Sequence, residues 1–291
     1  MKKLAFRCAA ALLLLAAQLA TAATPNAMVE AVQMPAWVER GALTIPLAPG
    51  MELRNQDRLH TGANSKLLLK MGEGSLVRLG GNATLVLEQM AEGKDRVFDA
   101  AMKVLRGAFR FTTGVLQAHR RRNISITIDT VTAGIRGTDV WGKAAADKDI
   151  VCLIEGSIEV RRGQAQPFQM DQAMSFYVAP KGAPALPVAP VAPKQLRVWS
   201  AETQIAPGAG AARRGGKWKV IAASADTRAE ALKLNDALRA AGYAAEIRQL
   251  MRANKRVYEV RLTQLPSKVD AEALAASIRG RMGVTEPRVS M

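Results

Sequence analysis

Cysteine and histidine are scarce here, with two of each in 291 residues. Cys8 falls within the first 23 residues, so Cys152 stands alone in the remainder. A lone thiol forms no intrachain disulfide and builds no Cys-based zinc site. Its setting, DIVCLIEG, is a continuous apolar run, and the reading is a buried structural thiol. His60 and His119 lie in different segments, and His119 belongs to the basic stretch AHRRRN. No G-x-S-x-G elbow and no HExxH pair occurs, so no base stands beside a nucleophile. The expectation is a non-enzymatic protein without metal or cofactor. One carboxylate set, Asp129, Asp139 and Glu155, keeps wall hydrolysis open as an alternative, because glycoside cleavage needs only two acids that meet in space.

Long apolar runs are missing as well. Lys2, Lys3 and Arg7 precede a short apolar stretch, Ala9 to Ala17, and Ala20-Thr21-Ala22 offers small residues for cleavage. Residues 1–22 therefore read as a secretory signal peptide, too short for a membrane span. No later window supplies the ~20 apolar residues that a span needs. The mature chain is expected to be periplasmic, without a transmembrane segment.

Acidic residues are the minority, 25 against 41 basic ones, for a net charge of +16. Losing Lys2, Lys3 and Arg7 with the signal peptide leaves +13. In the cytoplasm such a charge would point to nucleic acid. Export removes that partner and leaves wall polymers and lipid headgroups as the polyanions within reach.

Five stretches differ in character: the signal peptide, an N-terminal segment 23–50, a β-rich region 51–180, a Pro/Ala/Gly-rich linker 181–216 and a C-terminal unit 217–291. The β-rich region consists of short runs such as KLLLKMGEG, SLVRLGGN and NISITID, punctuated by glycine. Alternation of Ile124, Ile126 and Ile128 with polar residues predicts a sandwich, roll or short solenoid. In the linker, Pro184, Pro187, Pro190 and Pro193 recur with the three-residue period of polyproline II, which predicts a semi-rigid spacer. The following LRVWSAETQI is expected to pack back through Val198 and Ile205.

The C-terminal unit repeats itself at an offset of 40. Trp218 matches Tyr258, Val220 matches Val260, Thr227 matches Ser267 and Leu234 matches Leu274. Thr227-x-x-Glu230 and Ser267-x-x-Asp270 are helix-capping patterns, with Gly242 and Gly283 as the expected helix ends. The order predicted is βαββαβ, a small α+β fold.

Two family resemblances follow from these phrases. DRLHTGANSKLLLKMGEGSLVRLGGNATLVLE, the run Thr130 to Asp139 and VCLIEGSIEV resemble the FecR domain in order and wording. Residues 217–291 resemble the SPOR domain, through the repeat and through AEALKLNDALRAAGYAAEI and AEALAASIRG. The chain departs from the usual SPOR pattern at Ile221, Ala225 and Thr263. The SPOR resemblance implies binding to peptidoglycan glycan strands, preferably those stripped of stem peptides, and a place at division sites. The FecR resemblance implies contact with another, unidentified envelope protein. It also implies a signalling alternative, although the cytoplasmic segment and membrane span of sigma-factor regulators are not expected here.

Strand alternation places Lys219, Ile221 and Ala223 on the sheet face away from the helices, with Glu259 and Arg261, and with Ser224 at its end. Lys219, Ile221, Ser224 and Arg261 are the candidate glycan contacts. In the β-rich region the run Gly134-Ile135-Arg136-Gly137-Thr138-Asp139 lacks the Lys-Ser/Thr pair and the following helix of a phosphate loop. It reads as a glycine-framed strand corner, with Arg136 as a candidate protein contact. On that reading Gly137→Val lowers stability in urea unfolding by clearly more than Arg136→Ala does. Equal losses would contradict it.

Overall fold

The computed structural model describes residues 26–93, 97–114, 122–135 and 137–291. The expected signal peptide, His119 and Arg136 lie outside the described residues. Among the described residues, no helix is long and apolar enough to cross a membrane.

The N-terminal region is a β-sandwich. Its first strands are β1 (Ala27–Gln33), β2 (Ala36–Arg40), β3 (Leu43–Pro46), β4 (Arg58–Thr61) and β5 (Lys66–Met71). Then come β6 (Leu76–Leu79), β7 (Thr84–Glu92), β8 (Phe98–Thr112), β9 (Arg122–Ile128) and β10 (Val131–Ile135). The remainder are β11 (Asp139–Ala144), β12 (Lys148–Glu155), β13 (Ile158–Arg162), β14 (Phe168–Met170) and β15 (Ser175–Pro180). One sheet runs β1-β5-β6-β8-β11-β12-β15. The other runs β3-β2-β4-β7-β8-β9-β10-β13-β14. The predicted alternation holds where it was clearest: Ile124, Ile126 and Ile128 are all buried between the sheets. The described part of the segment set apart in the sequence, residues 26–50, contributes β1, β2 and β3 to these sheets, because its alternating apolar side chains need the same core.

Strand β8 belongs to both sheets. Its first half lies between β7 and β9, its second between β6 and β11. The buried side chains change parity on the way, from Phe98, Ala100, Met102 and Val104 to Phe109 and Phe111. The break is at Gly107, where φ is +86° and a Cβ would come within 2.6 Å of the Ala83 Cα. Only glycine fits that combination of positive φ and close backbone approach.

Two further crossings stack on each other. The chain leaves one sheet after β10, enters the other at β11, and returns between β12 and β13. Gly137 (φ +96°) and Gly156 (φ +91°) meet there, and a Cβ on Gly156 would lie 2.4 Å from the Gly137 carbonyl oxygen. Thr113 ties the corner down: its amide donates to the Thr138 carbonyl at 3.0 Å, and its hydroxyl accepts from the Thr138 amide at 2.8 Å.

The stretch 181–216 is not a free spacer. It forms β16 (Ala189–Pro190) beside β15, then α1 (Pro193–Thr203), then β17 (Ala212–Arg213) beside β1. Pro193 occupies the first turn of α1, where its missing N–H costs nothing. At the other end, Lys66 Nζ donates to the Ala201 and Gln204 carbonyls at 2.7 and 2.6 Å, placing a cation on the negative end of the helix. What holds α1 down is Trp199, stacked on the buried Trp141 at 4.7 Å between centroids and met edge-on by Phe176. Val198, the expected anchor, points to solvent, since the helical turn that seats Trp199 and Leu196 carries it to the outer side.

The C-terminal unit comprises β18 (Trp218–Ala225), α2 (Arg228–Ala240), β19 (Glu246–Arg252), β20 (Lys255–Leu265), α3 (Lys268–Ile278) and β21 (Arg288–Ser290). The sheet order is β19-β20-β18-β21. Thr227 and Ser267 cap their helices, each hydroxyl accepting from the amide three residues on. Gly242 follows the first helix as expected. The second ends at Gly280 (φ +71°), not Gly283, because α3 is shorter than α2. The unit is fastened to the sandwich: the Ala36 amide donates to the Gly242 carbonyl, and the Gly210 amide donates to Asp270 Oδ1.

Trp199→Ala should cost about 3 kcal/mol, the low end for truncating a buried aromatic, since Trp199 is only half-buried. Limited proteolysis should then cut within residues 181–216 of the variant and spare the parent chain. Equal resistance in both would contradict the anchoring role.

Candidate glycan-binding face

The two C-terminal helices cover one side of their sheet. Val220, Val260 and Leu262 face them, buried with Leu238, Leu274 and Ile278. Cross-strand partners share a face, so register identifies the other side. Ile221 pairs with Arg261 and with Arg288, and Ser224 pairs with Glu259. Glu246 pairs with Arg261, and Arg248 with Glu259. Lys219 pairs with Ser290 at the rim, and its Nζ donates to the Met291 carbonyl. The register therefore brings Lys219, Ile221 and Arg261 onto one face, as alternation suggested, and Ser224 joins them because of a register shift between Ile221 and Ala223. Ala223 is not among them. A bulge between Ile221 and Ala223 sets Ala223 opposite the core residue Val260, reversing its side.

Register also adds Arg248, Arg252, Arg288 and Glu246, which the sequence reading missed. Alternation about Val289 pointed to Arg288, but β21 had no assignable neighbour in sequence. The cations are held by specific partners. Arg261 meets Glu246 at 3.0 Å, Arg252 meets the buried Glu259 at 2.7 Å, and Arg288 donates to Ser224 Oγ at 2.8 Å. Arg248 is exposed and forms no ion pair among the described residues. Ile221 is buried in the middle of this polar layer, between Arg261 and Arg288 in register. Such a face offers guanidinium forks for carboxylates and N–H donors for sugar hydroxyls.

The acids of the hydrolytic alternative do not assemble as a trio. Asp129 sits in the β9–β10 turn and meets Lys181 at 2.7 Å. Asp139 and Glu155 are cross-strand partners, but both Asp139 oxygens accept from Arg110, at 2.8 and 2.6 Å. The same contact raises the Arg110 pKa. With both oxygens occupied by one guanidinium, Asp139 is not placed as a free partner for Glu155. Among the described residues, no group of three or more metal-ligating side chains converges.

Comparison with known proteins accounts for both units. The chain carries a FecR domain, described as FecR protein, over residues 57–159, and a SPOR domain over residues 215–286. No curated protein matches the sequence. Among solved structures, a crystal structure of a candidate anti-sigma factor from Parabacteroides distasonis ATCC 8503 is 12% identical. The match covers 80% of this chain and 98% of that one, with a TM-score of 0.39. A second crystal structure so described, from the same organism, is 10% identical over 68% of this chain and 96% of that one, also with a TM-score of 0.39. At that score the chain paths diverge too far for the likeness to carry an argument.

Cys152 is buried on the outer side of the first sheet, beside Trp141. Burial, and then the Asp139 carboxylate, push its thiol up to about 12, with Arg110 pulling the other way. The thiol therefore stays neutral in the folded protein at physiological pH. The stability tied to this shift is whole below the free-thiol value of about 8.5 and fades as pH rises toward about 12. At pH 8 a maleimide should leave Cys152 unmodified in the folded chain and label it fully in urea. Rapid labelling of the folded chain would show the thiol to be accessible.

Proposed function

We propose that this is an exported envelope protein that docks on peptidoglycan through its SPOR sheet and presents its FecR domain to an envelope partner. The observation that carries the reading is the row of cations, Lys219, Arg248, Arg261 and Arg288, on the helix-free face of a domain whose family binds peptidoglycan. Removal of the stem peptide leaves a free lactyl carboxylate on each muramic acid. A guanidinium fork matches that group, while the ordinary stem-bearing strand hides it in an amide. This gives a physical reason for preferring stripped strands.

The FecR domain supports a regulatory role, with protein contact as its means. Its partner is an unidentified envelope protein, and Arg136 in the β10–β11 corner stays the candidate contact residue. Contacts between the sandwich and the SPOR unit mean that wall docking would carry the whole sandwich with it. That raises the effective concentration of the sandwich near wall-associated partners. Placement in the periplasm and at division sites belongs to the same proposal.

Co-sedimentation of the full chain with purified sacculi tests this reading. Binding should increase after amidase treatment of the sacculi, and Arg261→Ala with Arg288→Ala should weaken it at least about tenfold, as expected for losing two charged hydrogen bonds. Failure to pellet with either kind of sacculus would overturn the proposal. Pelleting that the double variant does not change would show that a different surface binds.

A further inference from the structure

A second cationic site lies on the sandwich, remote in kind from the glycan face. Between β6, β8 and the segment joining α1 to β17 is a cavity of about 430 Å³. Three arginines line it, Arg78 from β6, Arg110 from β8 and Arg213 from β17, against a single carboxylate, Asp139. The pairing inside it is uneven. Arg110 and Asp139 satisfy each other through two hydrogen bonds. Arg78 spends one N–H on Thr112 Oγ1, at 2.9 Å, and forms no ion pair among the described residues. The Arg213 guanidinium has neither a hydrogen bond nor an ion pair among the described residues. The cavity therefore carries two surplus positive charges and most of two guanidinium forks unused.

A guanidinium does not shed its proton to relieve crowding. Burial lowers the Arg78 pKa and the neighbouring Arg110 lowers it further, while Asp139 offsets only part of this. Two partly desolvated cations that share only a carboxylate already gripped by Arg110 are costly, and an entering anion lowers the cost. The remaining walls are mixed, apolar at Leu68, Leu76 and Ile205 and polar at Thr112, Thr203 and Gln204, and the volume suits a small molecule rather than a chain.

We infer that this cavity binds a small dianion, a dicarboxylate or phosphate monoester, gripped by Arg78 and Arg213 above the Arg110–Asp139 pair. The two surplus charges set the charge of the ligand. The forks set the chemistry of its head, because planar and tetrahedral oxyanions accept paired N–H donors. Ile205 and Arg213 come from the connecting segment, whereas Arg78 comes from the sandwich. A bound dianion thus ties the two together and adds to the hold of Trp199 on α1. The site is independent of glycan docking and stands or falls separately.

Calorimetric titration of the full chain at low salt with succinate, and separately with inorganic phosphate, tests the inference. Saturable binding of either at a Kd of about 1 mM or tighter is expected. Uncharged succinamide should not bind. Arg78→Gln and Arg213→Gln should each weaken the binding at least tenfold. Arg161→Gln removes an equal charge from the exposed side of β13 and should leave it unchanged. Arg213 makes no side-chain bond among the described residues, so its variant remains informative even if Arg78→Gln unfolds. Binding of succinate alone would identify the head as carboxylate, and binding of phosphate alone would identify it as phosphate. Absence of binding by both probes, or equal weakening by Arg161→Gln, would overturn the inference.

Discussion

A strand shared by two packed sheets must turn its buried side chains over partway along, because each sheet has its inner face toward the other. In this sandwich β8 meets that demand at Gly107, where positive φ and the backbone of Ala83 leave no room for a side chain. Both sheets are assembled on the two halves of this strand, one between β7 and β9 and the other between β6 and β11. The Gly137–Gly156 contact repeats the solution nearby, with two chain crossings packed backbone to backbone. Arg110, on the second half of β8, then grips Asp139 at the start of β11 and pins the crossing to the shared strand.

That geometry also explains why the cationic cavity lies where it does. Asp139 is committed to Arg110, no other acid lines the space among the described residues, and β17 brings Arg213 beside Arg78. The glycan face is organised differently. Its arginines stand on an open sheet with Glu246, Glu259 and Ser224 holding several of them in place, so their forks are ordered on an exposed surface. One arrangement is a recessed pocket, the other an open platform. Excess positive charge in the composition hides this division.

Much of the fold was legible because it rests on local rules. Alternation in NISITID, the capping residues Thr227 and Ser267, and the repeat at an offset of 40 are short-range patterns that chain geometry translates directly into strands and helices. The glycan face was half legible. Parity placed Ile221 and Arg261 together, but it failed at Ala223, because a bulge adds a residue to one strand and no propensity announces it. The proline period in residues 181–216 misled for a related reason. Proline sets φ, yet whether such a segment stands free or lies against a sheet depends on what Trp199 can reach.

By itself the sequence determined the division into a β-rich region and a βαββαβ unit, the charge, the buried thiol and the lack of any recognisable motif with a base beside a nucleophile. These follow from composition and from spacing of a few residues. Tertiary structure alone decided that residues 26–50 and 181–216 belong to the sandwich, that Arg288 and Arg248 join the candidate glycan face, and that Arg78, Arg110 and Arg213 share one cavity. Each of these depends on strand register and on contacts between residues far apart in the chain. Such contacts are chosen by the packing of the whole core, and no local segment carries that information.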